Sequence, residues 1–344
     1  MLLPSPAGPF SDHVLATLRR PPGTARLRWV PPSGPDDEQL ALFLLQHLSY
    51  RRFDGVDPAW EDDPSFLVLR ERLEHSMELR LRARLDVPAC DAAEVPDALV
   101  ELLDGAGGPS LSGWVAERAT LDHLREFLVH RSAYQLHEAD PHSFAIPRIA
   151  AGTAKTALLE LQMDEYGGHE PTEAHAVLFA ETMRATGLDP RPGTGLSRLP
   201  AVTLATNTLL NRLGRSRRLV GALVGHLAVF EMTSVEPMSR YAAACRRLLP
   251  GPTGTRAARF FDVHVAADGF HAKLAIERLV QGFVDQHPDD AREVLFGAAA
   301  LLHVEEAFSR HLVEAWDAGT SSLRTPLPGS ALRPAPAHAP LPIA

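Results

Sequence analysis

The chain has 344 residues, 45% apolar and 22% charged, enough to bury a large core in one big domain or two small ones. Its formal charge of −9 argues against a general nucleic-acid or anionic-membrane partner, either of which calls for basic patches. Two cysteines, Cys90 and Cys245, exclude a thiolate zinc site or an iron–sulfur cluster and fit a reduced, cytoplasmic setting.

Residues 1–36 form a Pro/Gly-rich arm with one short helical pattern near Ser11–Leu18. The start has no basic n-region and too many prolines for a signal peptide. Residues 37–112 read as an N-terminal helical region with amphipathic helices at Leu40–Tyr50 and Ser65–Leu85. The alternating charges of Arg70–Arg84 predict a solvated helix face. Residues 104–112 read as a loop.

From Trp114 the helical pattern is strong, and residues 113–324 make the core region. Val115–Ala139 reads as one long helix stopped by Asp140-Pro141, and Lys155–Tyr166 as a second, ended by Gly167-Gly168. Pro171 opens a third that runs to Thr186. Leu199–Arg212, Leu219–Thr233, Pro237–Leu249, Ala257–His287 and Asp289–Asp317 follow. The apolar stretch Leu219–Phe230 is too short and interrupted to span a bilayer. The tail, 325–344, has the Pro/Ala composition of a disordered segment. No run alternates with period two for long enough to suggest a sheet, so the fold class is all-α.

His264, Asp268 and His271 fall at roughly 0°, 40° and −20° around a helix, one stripe two turns long. Two imidazoles and a carboxylate on one stripe can close on a metal if other helices complete the set, and such donors suit iron, zinc or manganese. The plain alternative is a polar helix face with a salt bridge. Further candidates stand where polar groups are costly. Glu138 closes the long helix, Glu165 lies in Asp-Glu-Tyr-Gly-Gly, His175 follows ten residues later, and Glu231 interrupts an apolar run. Glu160 and Asp164 are lower-ranked substitutes for Glu165. On a straight helix Glu165 and His175 would be about 15 Å and 280° apart. Gly167, Gly168 and Pro171 supply a break, and the alternative is that each residue binds a different iron. Gly269 is read as room for oxygen or substrate. His226 and Cys245 read as packing, Tyr134 as an ordinary half-buried tyrosine, and His303, Glu305, Glu306 and His311 as a solvated face. The basic run Arg215–Arg218 reads as surface or a helix terminus.

Taken in order, four pieces resemble the iron-containing redox enzyme family, part of the haem-oxygenase-like di-iron oxidases and oxygenases. They are Arg-Ser-Ala-Tyr-Gln-Leu-His-Glu-Ala-Asp-Pro-His, Asp-Glu-Tyr-Gly-Gly with its later histidine, Gly-His-Leu-Ala-Val-Phe-Glu-Met-Thr-Ser, and His-x3-Asp-x2-His. The resemblance covers roughly 114–315 well and the N-terminal third more loosely. It implies a haem-oxygenase-like seven-helix bundle with additional N-terminal helices, holding two irons without haem. It implies Glu138, Glu165, His175, Glu231, His264, Asp268 and His271 as the ligands. It also implies O2 as co-substrate at a diferrous centre, a small organic substrate and, for some reactions, an external electron donor. Four carboxylates and two Fe(II) balance in charge, and the same donors suit a mixed manganese–iron pair. N-oxygenation, desaturation and oxidative C–C cleavage, set in specialised metabolism, all remain open, as does a homodimer. The rival readings are a metal-free enzyme on the same bundle, of the pyrroloquinoline-quinone synthase or thiaminase kind, and a non-catalytic iron-binding or scaffold protein.

If metal closes the site, the 257–275 helix is poorly ordered without it. Hydrogen exchange should show lower protection there in metal-free protein, and equal protection in both states would sink the idea.

Overall fold

Proline marks where many helices of this chain begin, because at a first-turn position its missing N–H has no partner to lose. The computed structural model describes residues 1–335. The first half runs through α1 (Pro9–Leu18), α2 (Pro35–His47), α3 (Pro64–Arg84), α4 (Val95–Asp104), α5 (Leu111–Arg118), α6 (Leu121–Gln135) and the single turn α7 (Asp140–Ser143). There follow α8 (Thr153–Glu165), α9 (His175–Ala185), α10 (Ala201–Arg215), α11 (Val220–Met232) and α12 (Val235–Leu248). The last are α13 (Pro252–Leu274), α14 (Gln281–Gln286) and α15 (Ala291–Asp317). The chain is all-α, as expected: among the described residues there is no strand, and one isolated bridge pairs Thr320 with Arg333. No single helix among them is long and apolar enough to cross a membrane.

Several boundaries differ from the periodic reading. The expected helix Val115–Ala139 is two helices, because Ala119 and Thr120 are extended and the Thr120 hydroxyl caps α6. Apolar periodicity runs through such a break without registering it. The expected helix 257–287 contains a π-helical turn at Ala275–Val280. Helix α4 lies in the N-terminal helical region, beyond the two helices read there. Residues 325–335, part of the expected disordered tail, are tied down: Arg198 donates to the Thr325 and Pro326 carbonyls, and Asp122 accepts from the Ala331 N–H. Residues 336–344 of that tail lie outside the described residues.

The expected solvated face on α3 is partly buried. Glu74 and Glu78 meet Arg212 of α10 at 3.1 and 3.2 Å, and Arg212 also makes two bonds to Glu71. Arg215 lies 3.3 Å from Glu74, and Arg218 binds Glu78, so two arginines of the basic run serve this network. Burial opposes charge on Glu78, but Arg218 and Arg82 hold its carboxyl down at about 2. The sequence shows the charges on α3; it does not show that their partners come from a helix some 140 residues on.

The apolar side chains form two clusters. One joins α1–α4 to α8, α10, α11 and much of α15; Phe10, Val14 and Leu18 bring the N-terminal arm into it. The other joins α5, α6, α9, α12 and α13 to the end of α15. The tightest crossing is between α11 and α15, which run parallel: Gly221 lies against Asp290 and Glu293, and Gly225 against Val294. A Cβ on Gly225 would stand 1.8 Å from the Val294 carbonyl oxygen, and one on Gly297 1.7 Å from that of Ala222. Both positions therefore admit only glycine at this spacing.

Arg212→Met should cost about 1.5–3 kcal/mol, because it removes the cation shared by Glu74 and Glu78 and leaves them only Arg215, Arg218 and Arg82. Urea unfolding followed by circular dichroism measures it; a loss under 1 kcal/mol would show the network to be dispensable.

Candidate metal centre

The seven candidate residues meet at the seam between the two apolar clusters. Glu138 is in the turn after α6. Next to it Ala139 holds φ 72°, a conformation that costs a non-glycine residue on the order of 1 kcal/mol. The Ala139 carbonyl accepts a 2.9 Å bond from Gln162 Nε2, one turn before Glu165 on α8, so the turn is fixed against the helix that carries the next candidate. Glu165 is the last residue of α8. Gly167 at φ 89° and Gly168 at φ 61° then reverse the chain, and a Cβ on Gly167 would stand 2.5 Å from the Ala174 nitrogen. His175 opens α9 on the return. The glycine break thus undoes the separation a straight helix would impose, and His175 Nδ1 lies 2.7 Å from Glu165 Oε2.

Two groups of donor atoms result, each with its atoms within 4.8 Å of one another. One is Glu138, Glu165, His175 and His264; the other is Glu165, Glu231 and His271. Glu165 belongs to both, and in the first it stands beside His175. Asp268 is in neither group by that distance, but its Oδ1 lies 3.7 Å from His271 Nδ1.

The imidazoles are oriented from behind. His264 Nδ1 is 2.8 Å from the Phe260 carbonyl, so that nitrogen carries the proton and Nε2 faces Glu138 at 3.8 Å. His271 Nε2 is 2.9 Å from Asp164, which leaves Nδ1 facing Glu231 at 3.5 Å. This assigns Asp164 a place behind a ligand candidate, while Glu160 pairs with Arg278 away from the centre.

The arrangement fits a metal better than it fits itself. Glu138 Oε2, Glu165 Oε2, His175 Nδ1, His271 Nδ1 and both oxygens of Asp268 are buried with no hydrogen-bond partner. The 2.7 Å approach of His175 to Glu165 is not aligned to share a proton; both lone pairs are open to a third body. Burial pushes Glu138 up and takes Glu231 to about 7, helped by Glu165. Burial opposes charge on Glu165 as well, yet His175, His264 and His271 draw it down to about 2. Burial likewise opposes charge on the imidazoles, yet Glu138 lifts His264 to about 10, and Asp268 and Glu231 lift His271 to about 11. Without a metal the carboxylates charge the imidazoles in its place.

Other readings are corrected or sharpened here. Glu305 is not on a solvated face: it makes a bidentate pair with Arg131 at 2.9 and 2.7 Å. His311 Nε2 meets the Ser322 carbonyl, and Glu306 pairs with Arg310. Gly269 is exposed on the outer side of α13 with nothing near its Cβ position, so it makes no room at the centre. His226 and Cys245 are buried in packing, and Tyr134 is half-buried, edge-on to Phe230.

The signature of the iron-containing redox enzymes matches residues 125–306, more than half of the chain and every candidate ligand. The chain belongs to this iron-containing redox enzyme family. A relative, the nitrosourea synthase of Streptomyces achromogenes subsp. streptozoticus, is 27% identical over 240 residues, which take in 66% of this chain and 49% of that protein. The chain thus spans about half the length of this relative. A solved domain of unknown function with a heme oxygenase-like fold, from Shewanella denitrificans OS217, aligns with 67% of this chain and 94% of its own, at 15% identity and a TM-score of 0.45. Iron, as the family is described, is a metal these oxygen and nitrogen donors suit.

At pH 7 His264 and His271 hold protons that a metal must displace, so loading the family's metal here should release about two protons per chain. Affinity should accordingly fall as the pH falls. Titration calorimetry in two buffers of different ionisation heat measures the release, and none at all would contradict the charge state described.

Proposed function

We propose that Glu138, Glu165, His175, Glu231, His264, Asp268 and His271 hold two irons, and that the chain uses O2 to oxidise a small organic molecule. The observation that carries this reading is Glu165: one buried carboxylate, shared by two donor groups, beside polar atoms that nothing else satisfies. A carboxylate has two oxygens and can bridge. When bound, a pair of ferrous ions would supply electrons for O2 reduction; a reductant, external or the substrate itself, must restore them.

The chain's own residues set the conditions. The Phe260 carbonyl and Asp164 hold the His264 and His271 rings in one tautomer each. The Phe260 ring lies 4.4 Å from His264 and 5.1 Å from Phe179, an apolar wall that keeps water from that side. Without metal, burial raises the Glu231 carboxyl to about 7, and its Oε2 lies 3.5 Å from His271 Nδ1, so bound metal would take the place of that proton. A metal-free enzyme, or a scaffold that binds no metal, leaves the unpartnered atoms without a use.

Among the oxidations the resemblance leaves open, nitrogen oxidation is favoured by the relative's name, since a nitrosourea carries an N–N=O group. The same donor set would accept manganese in one position.

Anaerobic Fe(II) loading followed by O2 tests the proposal. About two irons per chain and a transient visible band on mixing are expected, with both lost in Glu165→Ala because it takes a donor from each group. Wild-type protein that binds less than one iron, or that shows no oxygen-dependent change, would overturn it.

A further inference from the structure

Tyrosine is scarce in this chain, with only 4 in 344 residues, and two of them share a neighbour beside the candidate metal centre. The Tyr134 and Tyr50 rings lie 6.1 and 6.0 Å from the His137 ring, measured between centroids. His47 completes the group, 4.9 Å from His137 and 6.1 Å from Tyr50. None of the four residues lines the cavity of about 690 Å³ that opens between α6, α11, α12, α13 and α15.

The inner end of the group is at the centre. Tyr134 is in the last turn of α6, one turn before Glu138, and His137 is the residue next to that ligand candidate. Burial pushes the Tyr134 phenol up, and the charges of Glu138, Glu165 and Glu231 push it further. The outer end is near the surface. Tyr50 is half-buried, edge-on to Phe144 at 5.2 Å, and the next residue, Arg51, is exposed.

Neither the metal ligands nor the core accounts for these side chains. His137 Nε2, both ring nitrogens of His47 and the Tyr50 hydroxyl are buried without a hydrogen-bond partner. Phenylalanine and leucine would pack there without stranding polar atoms in the interior. What phenol and imidazole add to packing is the exchange of electrons and protons. A tyrosine gives up one electron far more readily than any aliphatic side chain or phenylalanine. Its oxidised phenol is a strong acid and needs a base nearby. His47 fits that need: burial first, then Arg51, holds it neutral, down at about 3, and a neutral imidazole keeps one free lone pair.

We infer that Tyr134 and Tyr50, joined through His137, carry single electrons between the surface and the metal centre, with His47 as the base for Tyr50. The inference rests on the two-iron proposal for its oxidant but not for its wiring. The route serves turnovers in which O2 has been reduced and no substrate is present to be oxidised. Tyr134 then gives one electron to the oxidised centre and its hydroxyl proton to Glu138. Tyr50 gives one electron to Tyr134, which recovers its proton from Glu138, while the Tyr50 proton goes to His47. A small one-electron donor of the ascorbate or thiol class restores the electron to Tyr50 at the surface, and His47 returns the proton. The net change is one electron passed from the external donor to the centre, with both phenols intact.

Two experiments test the route, both in full-length protein carrying Tyr166→Phe and Tyr241→Phe, so that Tyr134 and Tyr50 are the only tyrosines. In the first, Fe(II)-loaded protein is mixed with O2 without substrate, frozen and read by electron paramagnetic resonance. A tyrosyl signal that ascorbate quenches is expected. Tyr134→Phe and His47→Phe should each cut the Tyr50 yield about tenfold, and Tyr50→Phe should leave a Tyr134 signal that ascorbate quenches about tenfold more slowly. In the second, metal-free protein is photo-oxidised with tris(bipyridine)ruthenium, and oxidised tyrosine is located by peptide mass spectrometry. Tyr50→Phe breaks no hydrogen bond within the protein, and it should lower oxidation at Tyr134 about fivefold. No tyrosyl signal from iron-loaded protein, an undiminished Tyr50 yield in Tyr134→Phe, or unchanged Tyr134 photo-oxidation in Tyr50→Phe would each overturn the route. An undiminished yield in His47→Phe would overturn the role of His47 as base. Failure to take up two irons would instead count against the metal proposal, and the photo-oxidation would still judge the wiring.

Discussion

Burying negative charge with no arginine or lysine to meet it is the constraint around which this protein is organised. Glu138, Glu165, Glu231 and Asp268 converge at the seam of two apolar clusters, and the groups that move the three glutamates most are imidazoles and one another. No arginine or lysine is among them. A lone carboxylate taken out of water loses several kcal/mol of solvation, and like charges close together add to that. The chain meets the same problem differently at Glu74 and Glu78, where Arg212, Arg215 and Arg218 supply the countercharge permanently. The contrast separates a structural charge network from a site built to receive a cation.

Placing two of those carboxylates, Glu138 and Glu165, takes departures from regular helix. Glu138 follows a helix end and precedes an alanine at positive φ; Glu165 and His175 meet because two glycines reverse the chain between them. His264, Asp268 and His271 sit together on one uninterrupted helix, α13, and Glu231 sits within α11. That division explains what was legible beforehand. The α13 stripe is readable from spacing alone, since the helical period is local. The meeting of Glu165 with His175 is visible only as a warning that a straight helix would separate them, with Gly167-Gly168 as the clue to how it is avoided. Glu138 and Glu231 are single residues whose convergence depends on how helices pack; the apolar run around Glu231 marks it, and the ordered motifs of the resemblance secure Glu138.

What escaped the sequence is mostly pairing over distance. Glu305 has an unremarkable helical angle on α15; its meaning comes from Arg131, 174 positions earlier. The charge stripe on α3 looks solvated for the same reason, its partners being on α10. The break at Ala119 has a local mark, the Thr120 cap, but an apolar period that carries on across it conceals the change of direction.

The glycine contact between α11 and α15 has a consequence beyond packing. The two helices run parallel and touch backbone to backbone at Gly225 and Gly297, and about one turn further along, Val229, Phe230, Leu301 and Leu302 line the cavity. The pair resembles tweezers pinched near one end, the pinch fixed by the absence of two methyl groups. The spacing of α11 and α15 at the pinch is then set by main-chain contact. A single alanine at the pinch would spread the two helices while leaving the metal-facing residues unchanged.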